Sequence, residues 1–203
     1  MSISLLTLCS LMGSLWLFCT TTLQAQSWKV AKNKNGVKVE TRFIEVCSIK
    51  QYRATGYIET TLKQAVEAYR DPVQRKQFMN RSIEVSNLKE ISRDDIITYN
   101  LGAAPWPVVD RDNITRSRFY WSAKQVKVTM KSLPDYIPEK KGIVRVPRAQ
   151  GHWLFTDMGD GTIQVVQQSV AELGGSVPDW VVNSTIVEGP YDVLLGLKKM
   201  LEQ

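Results

Sequence analysis

Pro105-Trp106-Pro107-Val108-Val109-Asp110-Arg111-Asp112 joins a rigid, proline-braced turn to a charged triplet, and the triplet opens an alternating run from Asp112 to Trp121. Proline fixes φ and removes a donor, so a turn held between two prolines ends one strand before the next begins. Around this point the pattern keeps a period of two for about a hundred residues, as a strand with unlike faces requires. The predicted strands are Ser82 to Ile91, Asp95 to Leu101, Asp112 to Trp121, Lys124 to Lys131, Gly142 to Pro147, Trp153 to Met158 and Thr162 to Ala171. Val126, Val128 and Met130 share one face while Lys127, Thr129 and Lys131 share the other, so one side of this sheet is wet. Gly159-Asp160-Gly161 reads as a hairpin turn.

Upstream, Gly36 to Phe43 and part of Ile49 to Ile58 alternate in the same way and predict two more antiparallel strands. Thr60 or Thr61 can cap a helix from Leu62 to about Tyr69, which Asp71-Pro72 ends while opening a second short helical turn. Downstream, Pro178 to Gln203 has helical period. Ile186, Val187, Tyr191, Val193, Leu194, Leu195, Leu197, Met200 and Leu201 cover more than half its circumference. Such an arc is wider than a helix on a flat sheet buries, so the helix is either deeply packed core or a lid facing a cavity. Gly189-Pro190 should kink or hinge it, because Pro190 cannot donate to the carbonyl of Ile186.

The 203 residues divide into a leader and one domain of ordinary size. Ile3 to Thr22 carries no charge, and Leu23-Gln24-Ala25 offers a small residue for cleavage, so residues 1–25 are expected to be a signal peptide and 26–203 the folded domain. An uncleaved anchor is the competing reading. Export to the periplasm or beyond agrees with the cysteines: Cys9 and Cys19 lie in the leader, which leaves Cys47 alone and no intrachain disulfide. With 26 Lys plus Arg against 20 Asp plus Glu the chain is moderately basic. Its cations are scattered and form no nucleic-acid motif, so they serve plain solubility or else attraction to an anionic membrane surface. His152 is the sole histidine, which leaves no cluster to hold a metal and no dyad; neither cofactor nor metal is expected. No phosphate loop, nucleophile elbow or paired-carboxylate motif is present.

In order and spacing, the Pro105 to Asp112 stretch, Pro134 to Arg145 and Gly174 to Trp180 resemble the START family of lipid-binding domains, over nearly everything from Gly36 to Leu201. The resemblance implies an α+β helix-grip fold: a curved antiparallel sheet around a long C-terminal helix, with a ligand tunnel between them. By analogy, Pro134 to Gly142 matches a loop flanking the tunnel mouth, and Gly174 to Trp180 the approach to a lid helix. Some sterol-binding members carry a buried acid and base where Thr98 and Ser117 stand here, so no internal ion pair is expected at those positions.

The expected function is that of a monomeric carrier holding one hydrophobic ligand, such as a phospholipid, fatty acid or sterol, for transfer through transient contact with a membrane. Thr98, Thr115, Ser117 and Phe119 are its inward candidates, the first three with hydroxyls that cost less to bury than ions. Arg145 suits a phosphate or carboxylate headgroup, or else a surface ion pair. Trp153 and Trp180 are the aromatics placed to meet across a cavity, and Val187 and Leu194 the lid residues facing it. Tyr136, Ile137, Lys140 and Lys141 are expected at the membrane, with Gly189 and Pro190 as the gate. An enzyme on the same scaffold, cyclase-like or hydrolase-like, and a ligand-sensing module are the alternatives.

Overall fold

Among the described residues ten strands and three helices follow one another, all but the first strand in the order the periodicity sets out. The structure is a computed structural model and describes residues 27–44, 49–79 and 81–203. The expected leader and cleavage site, and Cys47, lie outside the described residues. The strands are β1 (Lys29–Lys34), β2 (Val37–Ile44), β3 (Ile49–Glu59), β4 (Ser82–Ser92), β5 (Asp95–Gly102), β6 (Arg111–Trp121), β7 (Gln125–Ser132), β8 (Val144–Arg145), β9 (Arg148–Asp157) and β10 (Thr162–Glu172). The helices are α1 (Leu62–Arg70), α2 (Pro72–Phe78) and α3 (Asp179–Leu201).

Nine strands form one antiparallel path, β1-β2-β3-β10-β9-β7-β6-β5-β4, and β8 pairs β6 in parallel. With α3 packed on β2, β3 and α2, this is the helix-grip arrangement. The order follows from turn chemistry. Gly159 and Gly161, both at positive φ, close the β9–β10 hairpin, so these strands pair in unbroken register from Ile163 opposite Asp157 to Glu172 opposite Arg148. Thr61 caps α1 in a reciprocal box with Gln64, and Asp71 accepts from the backbone of Val73 and Gln74 to start α2.

Alternation sorts the faces. Val126, Val128, Trp153, Phe155, Ile163 and Val165 point inward and are fully or almost fully buried with Tyr69, Phe78, Leu194 and Leu197. Trp153 stacks on Phe155, and Tyr69 meets Trp153 at 5.4 Å between ring centroids. A second, smaller core lies on the outer face of the sheet. There Ile97, Tyr99, Leu101 and Ile114 are covered by Leu133, Ile137 and Ile143 of the loop between β7 and β8.

Two glycines bring α3 against its neighbours. A side-chain carbon at Gly196 would lie 2.5 Å from the carbonyl oxygen of Phe78, and one at Gly56 3.2 Å from Leu194. Gly196→Ala is expected to destabilise the fold by about 1–3 kcal/mol, because the obstacle is backbone and cannot rotate away. That outweighs the roughly 1 kcal/mol of helix propensity the alanine adds. Gly189→Ala meets nothing within 4 Å and should show only the propensity gain; denaturant unfolding of the two variants checks the contrast.

Three expectations change. The basic, exposed strand β1 goes unpredicted by alternation, although Asn35 and Gly36, both at positive φ, turn it into β2. The Gly142 to Pro147 strand shrinks to the pair Val144–Arg145, while β9 begins at Arg148. Finally, α3 runs unbroken across Gly189-Pro190.

Candidate functional site

Between sheet and helices lies a cavity of about 360 Å³, inside the ~300–1,000 Å³ usual for a small-molecule site. Its walls come from strands as far apart as β3 and β4, including Tyr52 and Ser82. Six strand spacings of ~4.8 Å separate these strands in the sheet, so only a strongly curled sheet brings both to one cavity. Met79, Met130, Trp153, Pro190 and Val193 supply apolar wall. Thr98, Asn100, Asn113, Thr115, Gln167 and Ser169 supply neutral polar groups, and Arg75 and Arg81 are its charged residues.

Arg75 is the residue that sequence reasoning missed. It projects from α2 and is 5% exposed. One terminal nitrogen donates to Asn87 Oδ1 at 2.8 Å, and the guanidinium stands 5.7 Å from the centre of the Tyr69 ring. Its Nε has no partner among the described residues, and no carboxylate pairs with it. Burial pulls its pKa below the ordinary arginine value, with Tyr69 and Asp71 acting against that, yet an arginine stays charged at neutral pH. Asn100 Oδ1, Asn113 Oδ1 and Gln167 Oε1, on the same walls, also lack partners. Asn100 and Asn113 face each other across β5 and β6, one rung beyond Thr98 and Thr115. Buried polar atoms in folded proteins are nearly all paired, so four left bare around one cavity mark a surface made for a polar ligand group. The available signal was the position of Arg75 in a short amphipathic helix beside buried Phe78.

The predicted residues separate into three groups. Thr98, Thr115, Trp153, Gly189 and Pro190 line the cavity, and Thr98 donates to the carbonyl of Thr115 at 3.4 Å. Ser117, Phe119, Val187 and Leu194 instead belong to the packed interior. Ser117 shares a 3.0 Å hydrogen bond with the Tyr69 hydroxyl, Phe119 meets the Tyr69 ring edge-on, and Leu194 lies over Gly56. In α3 it is Val193, one residue from Leu194, that reaches the cavity. The third group is remote: Trp180 is 53% exposed and away from the cavity wall, as are Arg145 and the β7–β8 loop.

Arg145 corrects both of its readings. Its guanidinium is buried on the outer side of the sheet and grips Asp112 with two hydrogen bonds of 2.6 and 3.0 Å. Its remaining donors take the carbonyls of Pro134, Ile137 and Pro138, leaving none for a headgroup. The ion pair is thus neither at the cavity nor at the surface; it clasps the loop over the second core. The same clasp fixes the loop that carries the four residues expected at the membrane. Ile137 packs into that core, Lys140 stands 4.3 Å above the Tyr99 ring and bonds Glu84 at 3.4 Å, and exposed Tyr136 and Lys141 border a loop fixed to the sheet's back.

His152 sits on the solvent face of β9, opposite Thr129 and Gln168, and partial burial, aided by Lys127, lowers its pKa. The unfolded chain therefore binds this proton more readily than the fold does. Stability should be constant in this respect above pH ~6.5 and fall as pH drops from there toward the lower folded value. Asp95, held down by Arg116, loses its contribution only below the carboxylate range. Unfolding midpoints between pH 7 and 5 should slope in the wild type and flatten in His152→Gln.

A sheet gripping a C-terminal helix over a cavity with bare polar atoms defines a helix-grip domain, and comparisons with known proteins give its family. The START domain model matches residues 17–203. An uncharacterised protein of Pseudomonas aeruginosa is 33% identical over 181 residues, covering 88% of this chain and 89% of that one. The phosphatidylcholine transfer protein of Bos taurus is 23% identical, covering 87% and 85%. A STAR-related lipid transfer protein from Xanthomonas axonopodis superposes with a TM-score of 0.80 at 31% identity, over 88% of this chain and 100% of that one. The chain belongs to the START domain family, whose named relatives here are lipid-transfer proteins. A Streptomyces aromatase/cyclase, at 14% identity and a TM-score of 0.54 over 75% of this chain and 93% of that one, shares the fold alone.

Proposed function

We propose that this protein carries a single lipid with an anionic headgroup and passes it between membranes. Arg75 carries the reading: a buried cation that pairs with no carboxylate, on the wall of a cavity with no acidic lining residue, among the described residues. A phosphate or carboxylate there supplies the missing acceptor and neutralises the guanidinium. Asn100, Asn113 and Gln167 take the headgroup's remaining polar atoms, and the hydrocarbon lies against Met79, Met130, Trp153 and Val193. Each methylene so buried contributes roughly 0.8 kcal/mol, which makes release into water slow and release into a membrane the practical exit.

Exit needs α3 to move in part. Its C-terminal half is anchored by buried Tyr191, Leu194 and Leu197, whereas its first turn has no side-chain cap and carries exposed Trp180. Thr185, Gly189 and Pro190 of the N-terminal half line the cavity. Swinging that half about Pro190 opens the site while Tyr191, Leu194 and Leu197 stay in the core and Val181 and Val187 leave their contacts, and it also admits a two-chain lipid bulkier than the cavity as it stands.

The membrane side of this reading is the end marked by Trp106. This residue is 89% exposed in the β5–β6 loop. The loop leaves the sheet at Gly102, which lines the cavity, and Ala103 donates to the carbonyl of cavity-lining Arg81. Tryptophan favours the bilayer interface. Native mass spectrometry of protein purified without added lipid, then after incubation with anionic and zwitterionic vesicles, tests the carrier: one bound lipid, enriched in anionic species, is expected. Empty protein in every arm overturns it. Trp106→Ala should slow transfer between vesicles while leaving the amount of bound lipid unchanged.

A further inference from the structure

The solvent face of the sheet, on the side away from the cavity, holds a second concavity of about 640 Å³. Pairing register orders its floor into rungs. Arg116 stands opposite Lys131, and Lys131 opposite Gln150; on the next rung Arg118 faces Thr129, Thr129 faces His152, and His152 faces Gln168. Lys127 belongs to the same concavity.

Charge on this face does not balance. Asp95 accepts from Arg116 at 2.6 to 3.1 Å and from Arg118 at 3.3 Å. Lys127 and Lys131 have neither an ion pair nor a hydrogen bond among the described residues. Four cations against one carboxylate leave three positive charges over a few strand spacings. Like charges directly opposite each other on neighbouring strands destabilise a sheet, so Lys131 against Arg116 is a cost that folding does not explain. Such conflicts between local preference and fold collect where a protein binds something.

The geometry points to an anion site on this outer face, in which Lys127, Lys131, Arg116 and Arg118 hold a molecule bearing at least two phosphoryl charges, with Gln150 and Gln168 donating to its oxygens. Arginine forks and lysine ammonium groups match phosphate oxygens, and several negative charges are needed to neutralise three positive ones. A hollow, unlike a flat basic patch, receives a protruding group: a phosphate monoester at the tip of a lipid headgroup or a soluble polyphosphate. Alternation places the four cations on the face opposite Thr115 and Trp153, so although Met130 and Gln150 border both hollows, the charges lie across the sheet from the cavity and do not depend on what it carries.

Calorimetric titration with tripolyphosphate in ~150 mM salt, compared between wild type and Lys127→Gln/Lys131→Gln, tests it, because two charge-assisted hydrogen bonds are worth at least a tenfold change in affinity. One site per chain, weakened on the order of 10–100-fold in the double variant, is expected. Lys63→Gln/Lys76→Gln, which removes the same charge from α1 and α2, should bind as the wild type does. Both lysine pairs are solvent-facing, and unchanged unfolding midpoints verify that the variants fold. Cosedimentation with vesicles containing phosphatidic acid identifies the source: recruitment lost in the Lys127/Lys131 variant means a lipid phosphate, and tripolyphosphate binding without recruitment means a soluble one. Equal weakening by the two lysine pairs, undiminished binding of both probes in the Lys127/Lys131 variant, or failure of the wild type to bind either probe overturns the site.

Discussion

Arg145→Ala is expected to lower the unfolding free energy by about 3–5 kcal/mol, the cost of leaving a buried carboxylate without its partner. Asp112 is 1% exposed and depends on Arg145 for both of its charge-assisted bonds. The substitution also releases the carbonyls of Pro134, Ile137 and Pro138, so the loop should lift and expose Ile97, Tyr99 and Ile114. Hydrogen exchange should accelerate across residues 133–143 before the rest of the sheet. In Asp112→Ala/Arg145→Ala the loss should be well short of the sum of the single losses, because no buried charge is then orphaned. Denaturant unfolding measures all three variants. The folded fraction should keep its bound lipid, and loss of lipid at unchanged stability would return Arg145 to the headgroup role its sequence position first suggested.

Arg75→Met reverses that pattern. Removing the guanidinium should weaken binding of an anionic lipid on the order of 10–100-fold, the worth of one or two hydrogen bonds to a charged group. Stability should stay level or rise, since an incompletely partnered cation leaves the interior and a flexible apolar chain of similar length fills its place. The lost bond to Asn87 offsets part of the gain. Lipid affinity by vesicle competition and the unfolding midpoint are read on the same samples. A large stability loss together with unaltered lipid binding would assign Arg75 to the scaffold and remove the support for an anionic cargo. Substitution of a structural cation lowers stability, whereas substitution of one kept for a ligand does not.

The difference between these arginines also shows what was legible in the chain. Both are buried basic residues close to a turn, and nothing local tells them apart. Arg145 drew attention because it follows a proline-rich loop of recognisable spacing, while Arg75 lies in an unremarkable seven-residue helix. What separates them is the placement of Asp112, 33 positions from Arg145 in sequence, and the curl of a sheet that turns α2 toward the cavity. The packing of the β7–β8 loop was hidden for a related reason. Its composition suits a membrane tip, but apolar Ile97, Tyr99 and Leu101 on the outer face of β5 required a cover, and Leu133, Ile137 and Ile143 of this loop provide it. Strand β1 was missed by attending to alternation alone, since Asn35-Gly36 is itself a strong hairpin signal.

Helix α3 was half legible. Its wide apolar arc left core and lid open, and the helix meets the packed core and the cavity in succession. Leu194 and Leu197 bury in the core, whereas Gly189, Pro190 and Val193 border the cavity. A helical projection gives the angle of each residue but not what stands opposite.

Period-two alternation, the glycine turns and the caps at Thr61 and Asp71 fix the strands, their facing and most of their pairing, because these depend on neighbours a few residues apart; the sequence alone therefore determined a one-sided antiparallel sheet with a terminal helix. Which inward residues become packed core and which become cavity wall was decided only by the tertiary structure. That outcome depends on how far the sheet curls and where α2 and α3 rest on it, set by long-range contacts such as Gly196 against Phe78 and Arg145 on Asp112. No local pattern encodes the space that remains between elements meeting across the whole fold.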